Sequence, residues 1–390
     1  MNIGKPRIGI LINSMTNGGA EKVACLLAGE MHKRDYEVEL LLLEKDDFYK
    51  PPTHINVTYL SNQTEKENGL TKFISLFVFA IKLRKIVKQR NISCIQGHMY
   101  RSNFVSILAG IFGSKHKSQI VNHGMVSRNL NRGMYGFVVI WLVKLLYNRA
   151  DQCVLVSNEM KTDIEGYITG NNTVVINNPF DFEEIEYLSK LDVLPNDFSF
   201  NKSKKYLICA GRFIKIKRFD VVIKSLMYLD ENVELIVLGD GDEKCYLTDL
   251  SNDLGLEKRV HFMGNVKNPF QFIKNSDIFV LSSETEGFPM ALIEAMACGT
   301  PIVSSDCRSG PREILDAELS VLGEDCFEKT NYGVLTQIGD SKCLASAISV
   351  LLYDEELMGK YRNNCRERML KYSTEKIVTK YIDNIGTILN

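Results

Sequence analysis

The 390-residue sequence predicts an α/β protein of two domains, each a parallel sheet covered by helices on both faces. Three observations carry that expectation. Short apolar runs rich in β-branched residues alternate with helical patterns along the whole chain. The length exceeds what one hydrophobic core usually supports. The turn signal Asn177-Asn178-Pro179-Phe180-Asp181, followed by a polar, mixed segment to Ser203, marks a break between two such alternations.

Taken in order, Arg7–Asn13 reads as a buried strand, followed by the turn Ser14–Gly19 and a helix from Ala20. Gly18-Gly19 lets the backbone approach a bound group, or simply makes a tight βα turn; it lacks the Gly-x-Gly-x-x-Gly dinucleotide pattern. A strand at Glu37–Leu43 and a polar excursion lead to a helix over Thr71–Arg90. On that helix Phe73, Ile74, Leu76, Phe77 and their neighbours oppose Lys72, Lys82, Arg84, Lys85 and Lys88. It is either a core helix with a solvated basic face or an amphipathic surface for anionic lipid. Tyr135–Tyr147 repeats the apolar and basic character, carries the only Trp, and is too short to span a membrane. His98 and His123 each follow a short strand, the position where open α/β sheets bind ligands. Strands at Asp151–Ser157 and Val174–Ile176 close the first domain.

The second domain repeats the rhythm. Strands are expected at Lys205–Ala210, Val233–Leu238, Val260–Met263, Ile278–Leu281, Ile302–Ser304 and Gly333–Leu335, with helices between them. Helical patterns at Ser341–Tyr353, Glu355–Lys371 and Ser373–Leu389 end the chain.

Bulk composition excludes several classes. Hydrophobic content of 45% with 24% charged residues is that of a water-soluble globular protein. The net charge of -1 hides an asymmetry: residues 1–180 carry 22 Lys/Arg against 14 Asp/Glu. Residues 68–150 hold 13 Lys/Arg and no acid, which points to an anionic partner. Ten scattered cysteines, without a Cys-x-x-Cys or a Cys/His cluster, read as reduced thiols, and no metal site is expected. The sequence opens on a strand without a signal-peptide core, and no apolar run reaches about 20 residues, so a cytoplasmic protein is expected.

The chemistry concentrates in Ser282–Pro301. An apolar strand leads into Glu286-Gly287-Phe288-Pro289, and a helix from Pro289 ends at Cys298-Gly299-Thr300-Pro301. Pro289 is expected at the first helical position, and the helix N-terminus, through Met290 and Ala291, offers N–H groups to an anion. Gly211-Arg212…Lys217 follows the first strand of the same domain, so both cations can reach one diphosphate. Leu238–Asp242 is a weak Gly-x-Gly, better read as a helix-capping turn, and Gly264-Asn265-Val266 can offer backbone groups to a nucleobase. Glu294 can accept both hydroxyls of a ribose, and Glu286, upstream, would lie nearer the sugar. A hydrolase with paired carboxylates is the chemical competitor, but it would need neither Arg212 nor Lys217.

These motifs, Gly211-Arg212…Lys217, Gly264 and Glu286-(seven residues)-Glu294 within Glu-Gly-Phe-Pro…Cys-Gly-Thr-Pro, resemble the retaining glycosyltransferases of family four. Gly18-Gly19-Ala20-Glu21, His123-Gly124 and Val156-Ser157 fit as well, so the likeness covers nearly the whole chain. The resemblance implies the GT-B architecture, two facing Rossmann-like domains over 1–180 and 181–372, with a helix over 373–390 crossing back to the first. It implies that Arg212, Lys217 and the amides near Pro289, Met290 and Ala291 bind a donor diphosphate, helped by Gly19, with Gly264 and Val266 at the nucleotide. It further implies Glu294 on the ribose, Glu286 on the transferred sugar and His123 beside that sugar.

Retention without a required metal or other cofactor would follow, the leaving phosphate taking the acceptor's proton. The donor implied is a UDP-sugar, a hexose or N-acetylhexosamine. The acceptor implied is a polyprenyl-diphosphate-linked glycan of bacterial O-antigen or capsule synthesis, met at the anionic inner membrane through residues 68–150. Nucleic acid is not an expected partner. Arg218 stands where many relatives have glycine, and Pro289 where many have glycine or serine. A GT-B sugar-nucleotide epimerase and a non-catalytic, membrane-surface nucleotide-sugar-binding protein are the competing readings.

Overall fold

The computed structural model describes residues 5–16, 18–45, 50–61, 69–170, 172–191, 198–318 and 326–390, without the side chains of residues 69 and 70. Asn17 of the glycine turn and Asn68 at the edge of the basic interval lie outside the described residues. The chain divides into two compact units, Met1–Pro179 with Thr374–Asn390, and Phe180–Ser373.

Unit 1 runs β1 (Ile8–Ile12), α1 (Gly19–Lys33), β2 (Val38–Leu42), β3 (Asn56–Tyr59), α2 (Gly69–Arg90), β4 (Cys94–His98), α3 (Tyr100–Ile111), β5 (Lys117–Asn122), α4 (Gly133–Leu146), β6 (Gln152–Leu155), α5 (Asn158–Glu165) and β7 (Thr173–Val175). Its strands form one parallel sheet in the order β3-β2-β1-β4-β5-β6-β7. Every residue of β1, β2 and β4 is buried, as helices on both faces require. β3, read as a polar excursion, is the edge strand; its half-exposed Asn-Val-Thr-Tyr lacks the apolar run that marks a central strand.

Unit 2 runs α6 (Phe182–Ser189), β8 (Lys205–Ala210), α7 (Phe219–Ser225), β9 (Val233–Leu238), α8 (Lys244–Asp253), β10 (Val260–Gly264), α9 (Phe270–Asn275), β11 (Ile278–Leu281), α10 (Met290–Ala297), β12 (Ile302–Ser305), α11 (Pro311–Leu315), β13 (Phe327–Lys329), β14 (Val334–Thr336), α12 (Ser341–Tyr353) and α13 (Glu355–Met369). The sheet order is β10-β9-β8-β11-β12-β14-β13. The expectation of a purely parallel sheet needs one correction: β13 pairs antiparallel with β14 at the edge. The polar segment after Pro179 also contains a helix the reading missed. Asp181 Oδ1 accepts from Glu184 N at 2.9 Å and starts α6, an Asp-x-x-Glu signal visible in the sequence. After Ser373 the chain forms α14 (Thr374–Leu389), which packs on α1 within unit 1.

In both sheets the strand order reverses once, between β1 and β4 and between β8 and β11. Helices leave in opposite directions there, which opens a crevice at the carboxyl ends of those strands. His98 ends β4, and the segments leading to Gly19, Arg212, Lys217 and Glu286 begin at the ends of β1, β8 and β11.

Candidate functional site

In unit 2, three strand-exit loops are laced together around Glu286. Lys217 Nζ, after β8, donates to Glu286 Oε1 at 2.7 Å. Ser283 Oγ donates to the same oxygen at 2.6 Å. The backbone fixes both sides: Glu284 N donates to Ile216 O at 2.9 Å, and Ser282 Oγ to Lys217 O at 2.8 Å. The loop after β12 joins through Glu286 N to Arg308 O at 2.6 Å and Ser309 Oγ to Gly287 O at 2.6 Å. Sixty-nine residues of sequence thus separate a cation and a carboxylate that the sheet places in contact.

Arg218, beside Lys217, adopts the left-handed conformation, φ 49°. That geometry favours glycine, the residue the resemblance led one to expect. The arginine compensates by donating to Asp220 Oδ1 at 3.0 Å and Glu284 Oε1 at 2.8 Å, tying the β8 and β11 exits together again. Arg212 is exposed with no side-chain partner among the described residues, so its guanidinium remains available to an anion.

Gly239-Asp240-Gly241 proves to be more than a helix-capping turn. No side chain caps α8. A Cβ at Gly239 would lie 1.9 Å from Gly211 O, so the glycine allows the β9 exit to approach the Arg212 loop. Gly264, with φ 69°, ends β10 and accepts from Gly239 N at 2.8 Å, and Val266 follows it half-buried.

Pro289 requires a correction. It is the N-cap of α10 and not its first helical residue, with ψ 95° outside the helical range. Its carbonyl accepts from Leu292 N at 3.1 Å, while Met290 and Ala291 begin the helix with N–H groups that helix geometry leaves unpaired. Glu294 is half-buried one turn further on. The arrangement presents two cations, a helix N-terminus and two carboxylates at one end of one sheet.

In unit 1, Gly19 is the first residue of α1, at the β1 exit. His123, after β5, stacks on His98 with ring centroids 5.2 Å apart. His98 Nδ1 and His123 Nε2 are 2.9 Å apart. Burial holds His98 well below the ordinary histidine range, with the neighbouring His123 adding to the effect, and burial lowers His123 to about 4. Both rings are therefore neutral at pH 7. The partnership with His98 was not legible from spacing, because it depends on β4 and β5 being neighbours.

All ten cysteines are free thiols. Among the described residues no cluster of His, Cys, Asp and Glu could hold a metal, and no helix is long and apolar enough to cross a membrane.

Residues 17–184 match the model of glycosyltransferase family 4, and residues 192–368 that of the glycosyl transferases group 1. The chain is 27% identical over 377 residues to a Campylobacter jejuni protein, covering 95% of this chain and 97% of that one. That relative is N-acetylgalactosamine-N,N'-diacetylbacillosaminyl-diphospho-undecaprenol 4-alpha-N-acetylgalactosaminyltransferase. An uncharacterized glycosyltransferase of Methanocaldococcus jannaschii is 32% identical over 271 residues, 64% of this chain and 66% of that one. Among solved structures, Anabaena HepE in complex with UDP superposes with a TM-score of 0.76 at 21% identity, covering 98% of this chain and all of that one. Both units are Rossmann-like parallel-sheet domains, as in the GT-B glycosyltransferases. The chain belongs to the glycosyltransferases, with a family 4 domain followed by a group 1 domain, and is an enzyme of that class.

Proposed function

We propose that this glycosyltransferase moves a hexose or N-acetylhexosamine from a UDP-sugar to a polyprenyl-diphosphate-linked glycan, with retention of anomeric configuration. The observation that carries the reading is the Lys217–Glu286 pair at the reversal of strand order in unit 2. It couples a diphosphate-binding cation to a carboxylate suited to the sugar. Arg212, Lys217 and the Met290 and Ala291 amides meet the charge that grows on the departing diphosphate, without a metal ion. Glu294 accepts the ribose hydroxyls, and Gly264 and Val266 face the nucleotide. Gly19 supports the diphosphate and His123 the sugar.

The incoming hydroxyl attacks the anomeric carbon on the face that the diphosphate leaves. The bond to the phosphate oxygen breaks, and that oxygen takes the hydroxyl proton. Glu286 stabilises positive charge at the anomeric carbon. UDP in the HepE complex and the α-linkage named for the Campylobacter relative support the nucleotide and the stereochemistry.

The lipid-linked acceptor is supported by the diphospho-undecaprenol in the same relative's name and by the surface of unit 1. The apolar positions of α2 split into two faces. Leu76, Phe79, Ala80 and Leu83 enter the core, whereas Ile74, Phe77, Val78 and Ile81 form a second stripe that is exposed. On α4, Met134, Phe137, Trp141 and Leu145 are likewise exposed. With Arg84, Lys85 and Lys88 also exposed, these stripes suit an anionic membrane surface at the cytoplasmic face.

Thermal unfolding with a panel of nucleotide sugars tests the donor. UDP-sugars should raise the midpoint of wild type and not of Glu294→Ala, and no protection by any of them would sink the donor assignment.

A further inference from the structure

Three glutamines lie side by side in the core of unit 1. Gln96, Gln119 and Gln152 are in register across β4, β5 and β6, and all three are buried. Buried amides must pair, and these pair with one another. Gln96 Nε2 donates to Gln119 Oε1 at 2.6 Å, and Gln119 Nε2 to Gln152 Oε1 at 2.7 Å. The ladder continues at both ends. Gln152 Nε2 donates to Asn384 Oδ1 of α14 at 2.9 Å, and Gln96 Oε1 lies 3.0 Å from His98 Nε2.

The direction of the ladder is set by its far end. Asn384 Nδ2 lies 2.8 Å from the Lys380 carbonyl, which can only accept. Reversing every amide would put Asn384 Oδ1 against that carbonyl, two acceptors with no proton between them. Followed from there, each amide oxygen accepts from the next NH2, so Gln96 Oε1 accepts from His98 Nε2–H. His98, neutral, then has a bare Nδ1, and the 2.9 Å contact requires His123 Nε2 to carry the proton. His123 Nδ1 has no partner among the described residues.

We propose that the glutamine ladder, anchored by Asn384 and read out through His98, holds His123 in its Nε2–H tautomer and so presents Nδ1 as an acceptor to a hydroxyl of the sugar substrate. This rests on the reading of His123 as a sugar-contacting residue. Gln96, Gln119, Gln152 and Asn384 are positioning residues. A sugar hydroxyl can donate to the bare nitrogen; the opposite tautomer would offer it a second donor instead.

The tautomer can be read directly. Full-length protein labelled with 15N-histidine gives long-range 1H–15N spectra at pH 7, with His123→Gln assigning the His123 signals. The expected wild-type pattern is a protonated-type Nε2 and a bare-type Nδ1; a protonated Nδ1 or an imidazolium overturns the proposal. Asn384→Leu, at the solvent end of the ladder, should produce a tautomer mixture and lower kcat/KM about tenfold, a typical loss for an orienting partner. Asn384→Asp, which still accepts from Gln152 and whose second oxygen turns to solvent away from the Lys380 carbonyl, should restore both. An unchanged tautomer in Asn384→Leu and in Gln96→Leu refutes the ladder's role, and a changed tautomer with unchanged kcat/KM refutes presentation to substrate. The spectra are recorded on the resting protein, so failure of the UDP-sugar assignment would leave the tautomer result standing.

Discussion

Lys217 Nζ lies 2.7 Å from Glu286 Oε1, an ion pair between the loops after β8 and β11. Both side chains are largely withdrawn from solvent, at 24% and 12% exposure, so the pair is screened less than a surface salt bridge. Ser283 Oγ fixes the same carboxylate oxygen, which leaves the other for substrate.

This pair separates structural from chemical roles. Glu286→Gln keeps an oxygen for Lys217 and Ser283, so stability measured by urea unfolding should change by under about 1 kcal/mol. Transfer should fall by about 100-fold or more, because the charge at the sugar is gone. Lys217→Ala leaves a mostly buried carboxylate without its cation, costs about 1–3 kcal/mol and abolishes transfer. Full activity in Glu286→Gln would remove Glu286 from the mechanism.

Arg218 offers a backbone test. Arg218→Gly relieves the left-handed strain but loses the bonds to Asp220 and Glu284, so the two effects offset and stability changes by less than about 1 kcal/mol. Arg218→Ala loses the bonds and keeps the strain, and should be the less stable of the two by about 1 kcal/mol. Equal stability in urea melts would show that the conformation at this position carries no cost.

Three desolvated histidines, His98 and His116 buried and His123 half-buried, set an acid limit. Burial holds His98 well below the ordinary range and lowers His116 and His123 to about 4. In the unfolded chain they take up protons near pH 6.5, so below that value the unfolded state binds more protons than the folded one. Their contribution is complete above about pH 6.5 and is lost as pH falls toward 4. Each costs up to about 1.4 kcal/mol per pH unit in that window. Urea melts at pH 7.5, 6 and 5 should show a steady decline; a flat profile would contradict neutral, desolvated rings.

The exposed stripes of α2 and α4 predict lipid binding of a particular kind. Flotation should recover the protein with vesicles containing anionic lipid and far less with neutral ones. Neutralising Arg84, Lys85 and Lys88 together, or replacing Phe77, Ile81, Phe137 and Trp141 with serine, should abolish it without changing the melting temperature. Unimpaired flotation in both would leave these residues as ordinary surface.

The strands were legible where they are short runs dominated by apolar residues, as Ile8–Ile12 and Ile278–Leu281 show. Edge strands β3 and β13 were not, since a half-exposed strand keeps no such run. Arg212, Lys217, Glu286 and Glu294 stood out as charged residues at strand exits and a helix start. The contact between Lys217 and Glu286 did not, because it is made by the adjacency of β8 and β11. The glutamine ladder was equally hidden: residues 96, 119 and 152 meet only once three parallel strands adopt their register. Arg218 in place of glycine is understood only from its φ of 49° and its two carboxylate partners.

The most direct test of the central claim is transfer itself. Purified protein would be incubated with a panel of UDP-sugars and a polyprenyl-diphosphate-linked oligosaccharide, and the product examined by mass spectrometry and NMR. The account predicts an acceptor heavier by one sugar residue, joined in the anomeric configuration of the donor, and no product with Glu294→Ala. An inverted linkage, or conversion of UDP-sugars that proceeds without any acceptor, would contradict it.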